Sequence, residues 1–330
     1  MIPDLSRRTF LAGALGLGAA AAASGCGVTR GEDNRDLSMW IPNSPGGGYD
    51  QTGRAAVGVM EADDVTGGSF EVTNILGAGG SVALTRLMGA SGDEHTLMTM
   101  GLGVVGSAYS FGLPFKVTDA TPIAQLIEDQ EGVLVPADSP YETIDDLVAA
   151  WKASPRSVAI GGGSSPGGPD HLFPMQLAST VGVSPSDVLY VPYDGGGPLT
   201  TALLGNKIQV GFSGLGEFEG QLKSGDLRAL AVSGEERLDG LVADVPTLTE
   251  AGIDLTFANW RGVLAPPDIS DERRGELVAY LQEMHDSQQW QEALVTNGWT
   301  DKFITGDEYG QFLEEQDQRV ATTLEEVGLL

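Results

Sequence analysis

The chain has 330 residues, which is enough for about two domains and for a large buried core. Its 46 Asp and Glu against 18 Lys and Arg give a net charge of -28, which excludes nucleic acid as a partner because the chain would repel a phosphate backbone. One cysteine and three histidines exclude a disulfide framework and a thiolate metal cluster, so we expect neither a metal ion nor a cofactor.

The N-terminal residues have the pattern of an export signal. Residues 6–11 (Ser-Arg-Arg-Thr-Phe-Leu) form a twin-arginine (Tat) motif, and the apolar run that follows to residue 23 is too short for a membrane span of about 20 residues. The run ends in Ala-Ser-Gly-Cys, which resembles the lipobox of bacterial lipoproteins. We therefore predict a signal peptide at 1–25, lipidation of Cys26 and a tether at 26–36. The alternative is an uncleaved anchor helix or a buried cysteine.

This signal predicts that the protein is exported. A lipid on Cys26 would anchor it at the outer face of the cytoplasmic membrane, on the periplasmic or cell-surface side.

Four units of one form follow, in which a short apolar strand leads through a glycine-rich turn into a helix. This alternation is typical of an α/β protein. The units are a strand at 36–41, a turn at 45–48 and a helix near Asp50; a strand at 69–75, a turn at 77–80 and a helix from Ser81; a strand at 157–160, a turn at 161–168 and a helix near Asp170; and a strand at 188–191, a turn at 194–197 and a helix through Leu203.

Apolar residues at helical spacing predict two further helices that pack on a sheet and carry no chemistry. The first begins with a capping box at 139–142 (Ser-Pro-Tyr-Glu) and continues through Ile144, Leu147, Val148 and Trp151. The second is a late helix with Leu277, Tyr280, Leu281 and Met284 on one face.

The four glycine-rich turns are candidate anion sites. Glycine lets the main chain approach a ligand closely, and the following helix presents unpaired N–H groups and the positive end of its dipole. A strand-to-helix turn also needs glycine for steric reasons alone, and this alternative stays open. The order of the turns predicts two lobes with a ligand cleft between them, lobe 1 at 37–128 and 256–330 and lobe 2 at 129–255.

Two motifs of enzymes match only in form. Residues 163–167 fit the G-x-S-x-G pattern of α/β hydrolases, but Pro166 has no N–H to donate to an oxyanion. Residues 101–106 fit the G-x-G-x-x-G pattern of dinucleotide-binding folds, but Gly-Leu-Pro at 112–114 interrupts the helix, so we interpret the segment as a crossing loop. These failures favour a binding protein over an enzyme. An exported hydrolase that uses Ser165 is the alternative.

A series of motifs resembles the Bug family, the extracytoplasmic solute receptors of tripartite tricarboxylate transporters. Residues 40–50 (Trp-Ile-Pro-Asn-Ser-Pro-Gly-Gly-Gly-Tyr-Asp) with Arg54 resemble the family's P-G-G-x-x-D-x-x-x-R opening. Further matches follow in the family's order, N-x-x-G-A-x-G at 74–80, V-P-Y-x-G at 191–195, L-A-V-x-x-x-x-R at 230–237, P-T-x-x-E-x-G at 246–252 and W-x-G at 260–262.

The resemblance implies a two-lobed type II periplasmic-binding-protein fold that closes on a small organic anion, a di- or tricarboxylate or a related acid. It also implies delivery of this acid to a two-component membrane permease, with no catalysis. A sensor domain without a transport role is an alternative. Transferred to this sequence, the implied ligand-binding residues are Ser44, Gly47, Gly48, Asp50, Gly77, Ala78, Gly79, Gly80, Ser164, Ser165, Tyr193 and Ser213. Asp50 has the alternative role of capping its helix, and ligand contacts of His171 and Asp194 are left open.

Overall fold

The computed structural model describes residues 36–193, 195–326 and 328–330, so the predicted signal peptide, Cys26 and Asp194 lie outside the described residues. The strands are β1 (Leu37–Ile41), β2 (Phe70–Asn74), β3 (Thr96–Gly101), β4 (Thr121–Pro136), β5 (Ala159–Gly162), β6 (Leu189–Pro192), β7 (Val210–Gly214), β8 (Leu227–Val232), β9 (Ala258–Ala265) and β10 (Thr300–Thr305). The helices are α1 (Gly48–Ala62), α2 (Ser81–Gly89), α3 (Leu102–Ser110), α4 (Ile144–Ala153), α5 (Pro169–Thr180), α6 (Gly196–Leu204), α7 (Glu219–Ser224), α8 (Asp271–Asp286), α9 (Gln288–Asn297) and α10 (Gly306–Glu326). None of the helices in these ranges has the length and apolar character that a membrane crossing requires.

The strands form one ten-stranded sheet with the order β2-β1-β3-β9-β4-β7-β5-β6, while β8 and β10 also pair with β4. Each end of the sheet is a parallel trio, with β1 between β2 and β3 at one end and β5 between β6 and β7 at the other. In the middle, β4 and β9 run antiparallel to each other. The carboxyl ends of parallel strands are where open α/β sheets bind ligands, so the turns after β1, β2 and β5 are brought to the place where a site is expected.

Strand β4 joins the two parallel trios. Up to Gln130 it pairs with β9, and from Glu131 it pairs with β7 and β8. The predicted α/β class is confirmed by this arrangement, whereas the proposed lobe boundaries at 128/129 and 255/256 stay a prediction.

The two helices predicted from apolar stripes both exist, but one begins later than expected. Its stripe is buried, yet the helix begins at Ile144 because Thr143 and Asp146 form a reciprocal capping box, in which each side chain accepts a hydrogen bond from the other residue's main-chain N–H. The expected box at Ser139 is therefore wrong. A side-chain acceptor directly before the apolar stripe competes successfully for the helix start.

Two glycine-rich segments also differ from expectation. Residues 102–110 form α3 directly after β3, so the interpretation of 101–106 as a crossing loop is wrong. Gly161 and Gly162 belong to β5, which shortens the third turn to 163–168. In both cases a close neighbour explains the glycine, since a Cβ on Gly106 would lie 1.7 Å from the carbonyl oxygen of Gly167 and one on Gly162 would lie 2.5 Å from the Tyr190 hydroxyl.

Candidate functional site

A cavity of about 350 Å³ lies where the turns after β1, β2 and β5 meet. Its first wall consists of residues 42–44, Gly48 and residues 76–79, and its second wall consists of residues 163–165 and 168–170 with Glu217. Asn259 and Arg261, both from β9, form its floor. A cavity of this size, lined by main chain and a few polar side chains, has the ordinary dimensions of a small-molecule site.

The first turn is held in place by Asp50. The carboxylate of this buried residue accepts hydrogen bonds from the main-chain N–H of Gly46 at 2.8 Å, from Nε of Arg54 at 2.7 Å and from Nδ2 of Asn74 at 2.9 Å. Burial alone would raise the pKa of Asp50, but these three donors outweigh it and lower the pKa. Asp50 thus ties the turn to α1 and β2 from outside the cavity lining.

The second turn gives the first wall its main-chain character. Gly77, Ala78, Gly79 and Gly80 all have positive φ, at 124°, 48°, 62° and 101°, and α2 begins at the next residue. This tight turn places the main chain of 77–79 at the cavity and at the N-terminus of a helix, where N–H groups lack intrahelical partners. The segment is therefore suited to a carboxylate.

The two walls touch at one edge of the cavity. A Cβ on Gly79 would lie 3.1 Å from Cβ of Ser165, and the side chain of Ser110 on α3 donates a hydrogen bond to the carbonyl oxygen of Pro166 at 2.9 Å. Gly106 of α3 lies against Gly167, as described above. The 163–168 turn thus packs on α3 with almost no side chain between them.

The chain's own carboxylates occupy N–H groups of the third and fourth turns. The main-chain N–H of Gly163 donates to Oδ2 of Asp170 at 2.7 Å, and that of Gly196, at the start of α6, donates to Oε2 of Glu217 at 3.0 Å. Asp170 and Glu217 both line the cavity. A ligand at the second wall therefore meets carboxylates at positions where the sequence suggested free N–H groups.

The floor carries a buried ion pair. Nη2 of Arg261 donates to Oδ2 of Asp129 at 2.7 Å, and its Nη1 donates to the hydroxyl of Thr52 at 3.3 Å. Beside this pair, Nδ2 of Asn259 donates to Oε1 of the fully buried Glu131 at 2.9 Å. Oδ1 of Asn259 and Oε2 of Glu131 are buried, and no described residue gives either atom a hydrogen bond.

Burial perturbs the titration of this acidic group. It raises the pKa of Glu217 to about 7, with a further contribution from the charge of Asp170. It raises the pKa of Asp170 to about 6, although hydrogen bonds from Ser213, Gly163 and Ser164 oppose the rise. The pKa of Glu131 is well above its ordinary value because of burial and the charges of Asp170 and Asp129. These acids therefore hold protons close to neutral pH.

The structure places the twelve predicted ligand-binding residues in two groups. Those that line the cavity are Ser44, Gly48, Gly77, Ala78, Gly79, Ser164 and Ser165. The others lie outside its lining, namely Gly47, Asp50, Gly80, Tyr193 and Ser213. His171 is buried behind the second wall, where its Nδ1 accepts a hydrogen bond from the N–H of Gly167 at 3.2 Å. Ligand contacts for all of these residues stay a prediction.

Sequence reasoning missed Tyr49, Asp170, Glu217, Asn259 and Arg261 as cavity residues. Signals existed for three of them, because Tyr49 and Arg261 lie inside the quoted family motifs and Asp170 follows the third turn. Glu217 and Asn259 have no local signal, since they reach the cavity only when β7 and β9 pair with β4.

The hydrolase alternative requires a serine that is hydrogen-bonded to a catalytic base. Among the hydrogen bonds between described residues, none joins the hydroxyl of Ser164 or Ser165 to a histidine, and that of Ser164 accepts from the N–H of Asp170 instead. Burial lowers the pKa of His171 to about 4, which makes this imidazole a weak base.

Comparison with known proteins places the chain in a family. The family model described as "Tripartite tricarboxylate transporter family receptor" matches residues 61–329. Protein BugT of Bordetella pertussis is 27% identical over 89% of this chain and 90% of its own length. The structure of MatC from Rhodopseudomonas palustris with bound malate is 24% identical, with a TM-score of 0.75 over 88% of this chain and 98% of that one. That of Rpa4515 from R. palustris with adipate is 21% identical, with a TM-score of 0.78 over 89% and 97%.

These matches confirm two predictions. The solved structures confirm the two-lobed type II periplasmic-binding-protein fold, and the curated relative supports the resemblance to Bug proteins. The chain belongs to the family of tripartite tricarboxylate transporter receptors.

Proposed function

We propose that this protein captures a small organic acid outside the cytoplasmic membrane and delivers it to a two-component permease of the tripartite tricarboxylate type. The observation that carries the proposal is the cavity of about 350 Å³ whose first wall includes the main chain of 77–79 at the N-terminus of α2. The structures of MatC with bound malate and of Rpa4515 with adipate support a carboxylate as the ligand class.

A main-chain wall can bind an anion in a protein of net charge -28 because its action is local. Helix N-termini and N–H groups act within a few ångströms, whereas surface carboxylates farther away than a Debye length of about 8 Å are screened. We propose that one carboxylate of the ligand lies against residues 77–79.

Export and anchoring follow from the N-terminal motif. We propose that residues 1–25 are removed and that Cys26 carries the lipid, which would keep the receptor near its permease. Metabolic labelling with a fatty acid tests this step, because Cys26→Ser should abolish incorporation of the label into the protein.

A receptor fits the cavity better than an enzyme does, since the second wall offers carboxylates and no serine paired with a base. The hydrolase alternative predicts that Ser165→Ala abolishes a measured ester hydrolysis. If the protein is a receptor, neither the natural protein nor this variant should hydrolyse the ester.

Calorimetric titration of the chain from residue 27 onward with malate, succinate, glutarate, adipate, citrate and their amino-bearing analogues tests the proposed ligand class. At least one acid should bind with a 1:1 stoichiometry and raise the melting temperature. If no organic acid in the panel binds, the proposed function is wrong.

A matched pair of variants locates the binding. Gly79→Ala and Gly92→Ala both place a side chain at a positive φ, 62° and 78°, but only the first lies at the cavity, whereas a Cβ on Gly92 has no neighbour within 4 Å. Gly79→Ala should weaken binding by about tenfold or more, because its Cβ comes against Ser107 and Ser165. Gly92→Ala should leave the affinity unchanged. Equal affinities in the two variants would place the ligand elsewhere.

A further inference from the structure

The second wall and the floor of the cavity carry an excess of negative charge. Of the described residues that line the cavity, Asp170 and Glu217 are acidic and only Arg261 is basic. Arg261 is already paired with Asp129, and the fully buried Glu131 lies beside the floor. A ligand group that reaches this side therefore meets two carboxylates whose charges no cation of the lining balances.

An unpartnered acceptor points to the same ligand chemistry. Asn259 is only 6% exposed and lines the cavity, and its amide NH₂ is used by Glu131. Its Oδ1 is buried and has no hydrogen-bond partner among the described residues, and the same holds for Oδ1 of Asn43 in the first wall. Buried amide oxygens are normally hydrogen-bonded, so each of these two atoms can accept one further hydrogen bond.

The cation that these groups suit is organic. Among the described residues, no three or more His, Cys, Asp and Glu side chains are grouped so that they could hold a metal ion. An ammonium group needs only a few acceptors around it, and carboxylates and an amide oxygen supply them.

We infer that the ligand carries a protonated amine in addition to a carboxylate, and that the amine contacts Asp170, Glu217 and Oδ1 of Asn259 while the carboxylate lies against residues 77–79. This inference rests on the proposed function, because it assumes that the cavity takes an organic acid. A compound with one ammonium and one carboxylate has no net charge, so the protein's charge of -28 does not repel it at long range.

The direction of proton exchange on binding shows whether an amine or a second carboxylate lies at this wall. Burial raises the pKa of Glu217 to about 7 and that of Asp170 to about 6, so both acids are partly protonated near neutral pH. An ammonium group favours their charged forms and releases protons, whereas a second carboxylate favours their neutral forms and takes protons up. Among the described residues, the charged and titratable groups that face these two acids are Glu131 and Asp129 from β4, Arg261 from β9, Tyr190 from β6 and Tyr49 from α1.

Calorimetric titration at pH 7 with matched ligands tests the inference. In the pairs glutarate with 4-aminobutyrate and adipate with 5-aminopentanoate, an ammonium group replaces one carboxylate and the chain length stays the same. We expect at least one amine-bearing member to bind about tenfold more tightly than its diacid, and comparison of phosphate with Tris buffer to show proton release.

The outcomes of this titration are distinct. If acids of the panel bind but no amine-bearing member binds more tightly than its diacid, or if the amine-bearing ligand takes up protons on binding, the inference is wrong and the proposed function stands. If no acid of either class binds, the proposed function is wrong and the inference falls with it.

Two variants with the same change of charge separate recognition from support of the fold. Glu217→Gln removes the acid at the cavity, and Glu219→Gln removes an exposed acid two residues away that pairs with Lys223. Glu217→Gln should weaken the amine-bearing ligand by about 10- to 100-fold and leave the diacid unchanged or bound more tightly, whereas Glu219→Gln should change neither. If Glu217→Gln weakens both ligand classes equally, Glu217 only supports Gly196 and the inference is wrong.

Discussion

Replacing Gly106 by alanine should separate α3 from the 163–168 turn, next to the place where the two walls of the cavity touch. A Cβ on Gly106 would lie 1.7 Å from the carbonyl oxygen of Gly167 and 2.4 Å from its carbonyl carbon, both of which are main-chain atoms that cannot rotate away. An ordinary contact begins at 3.4 Å, which is twice the distance of 1.7 Å, so α3 and the 163–168 turn must move apart. This shift also breaks the 2.9 Å hydrogen bond from Ser110 to Pro166.

The cost can be worked from these two contacts. An added methyl group in a packed contact costs about 1 to 3 kcal/mol, and an overlap with main-chain atoms belongs at the upper end of this range, whereas the hydrogen bond that re-forms when the contact closes returns about 1 kcal/mol. If ligand binding requires the closed contact, about 2 kcal/mol is subtracted from the binding free energy, which is about a 30-fold increase in Kd. The gain in helix propensity from glycine to alanine, about 1 kcal/mol, acts whether the walls are closed or apart and cancels from the Kd.

Calorimetric titration of Gly106→Ala with the tightest-binding acid of the panel measures this effect. Gly275→Ala in α8 is the control, because a Cβ there has no neighbour within 4 Å and the residue is exposed. The control should bind the acid with the same Kd as the natural protein, and its free energy of unfolding should rise by up to about 1 kcal/mol. A Kd within twofold of the natural protein in Gly106→Ala would refute the requirement for the closed contact.

Three further variants test the energetics of single features. Arg261→Met leaves Asp129 buried without its partner and should lower the free energy of unfolding in urea by about 3 to 5 kcal/mol, whereas adding Asp129→Leu should restore most of it; a single variant as stable as the natural protein would contradict this. Burial and the charge of Asp170 raise the pKa of Glu217 to about 7, so the folded state binds a proton that the unfolded state has lost. As pH rises from 4.5 to 8, the free energy of unfolding of the natural protein should therefore fall by about 2 to 3 kcal/mol relative to that of Glu217→Gln. A constant difference in stability across this range would exclude the raised pKa. Thr143→Ala should cost about 1 kcal/mol in a thermal melt by loss of the α4 cap, and no change would mean that the helix begins elsewhere.

Local patterns predicted the parts of the fold and of the cavity that depend on neighbours in the chain. The first two glycine-rich turns reach the cavity because each lies between the end of a strand and the start of a helix, a relation that a short window of sequence contains. The buried stripe of α4 was readable for the same reason. Its start was not, because two segments offer a capping box and only the one next to the stripe can cap it.

Contacts between residues that are far apart along the chain explain the features that the sequence could not predict. Gly106 looks like part of a dinucleotide motif. Glycine is needed there because the carbonyl group of Gly167, more than fifty residues away along the chain, leaves no room for a Cβ. The hydrogen bonds and pKa values of the acids in the second wall likewise depend on residues that are distant in the sequence. The same Glu217 side chain would be an ordinary surface charge if β7 did not bring it beside Gly196 and Asp170.

The two walls of the cavity differ in how they can change over evolutionary time. A point mutation cannot remove the N–H groups of residues 77–79 unless it introduces proline, so any ligand group that they hold is retained through most substitutions. Asp170 and Glu217 act through their side chains, and one nucleotide change can alter their charge or their length. A lineage could thus exchange one nutrient for another by altering the second wall alone, while every descendant still binds the same end of its ligand.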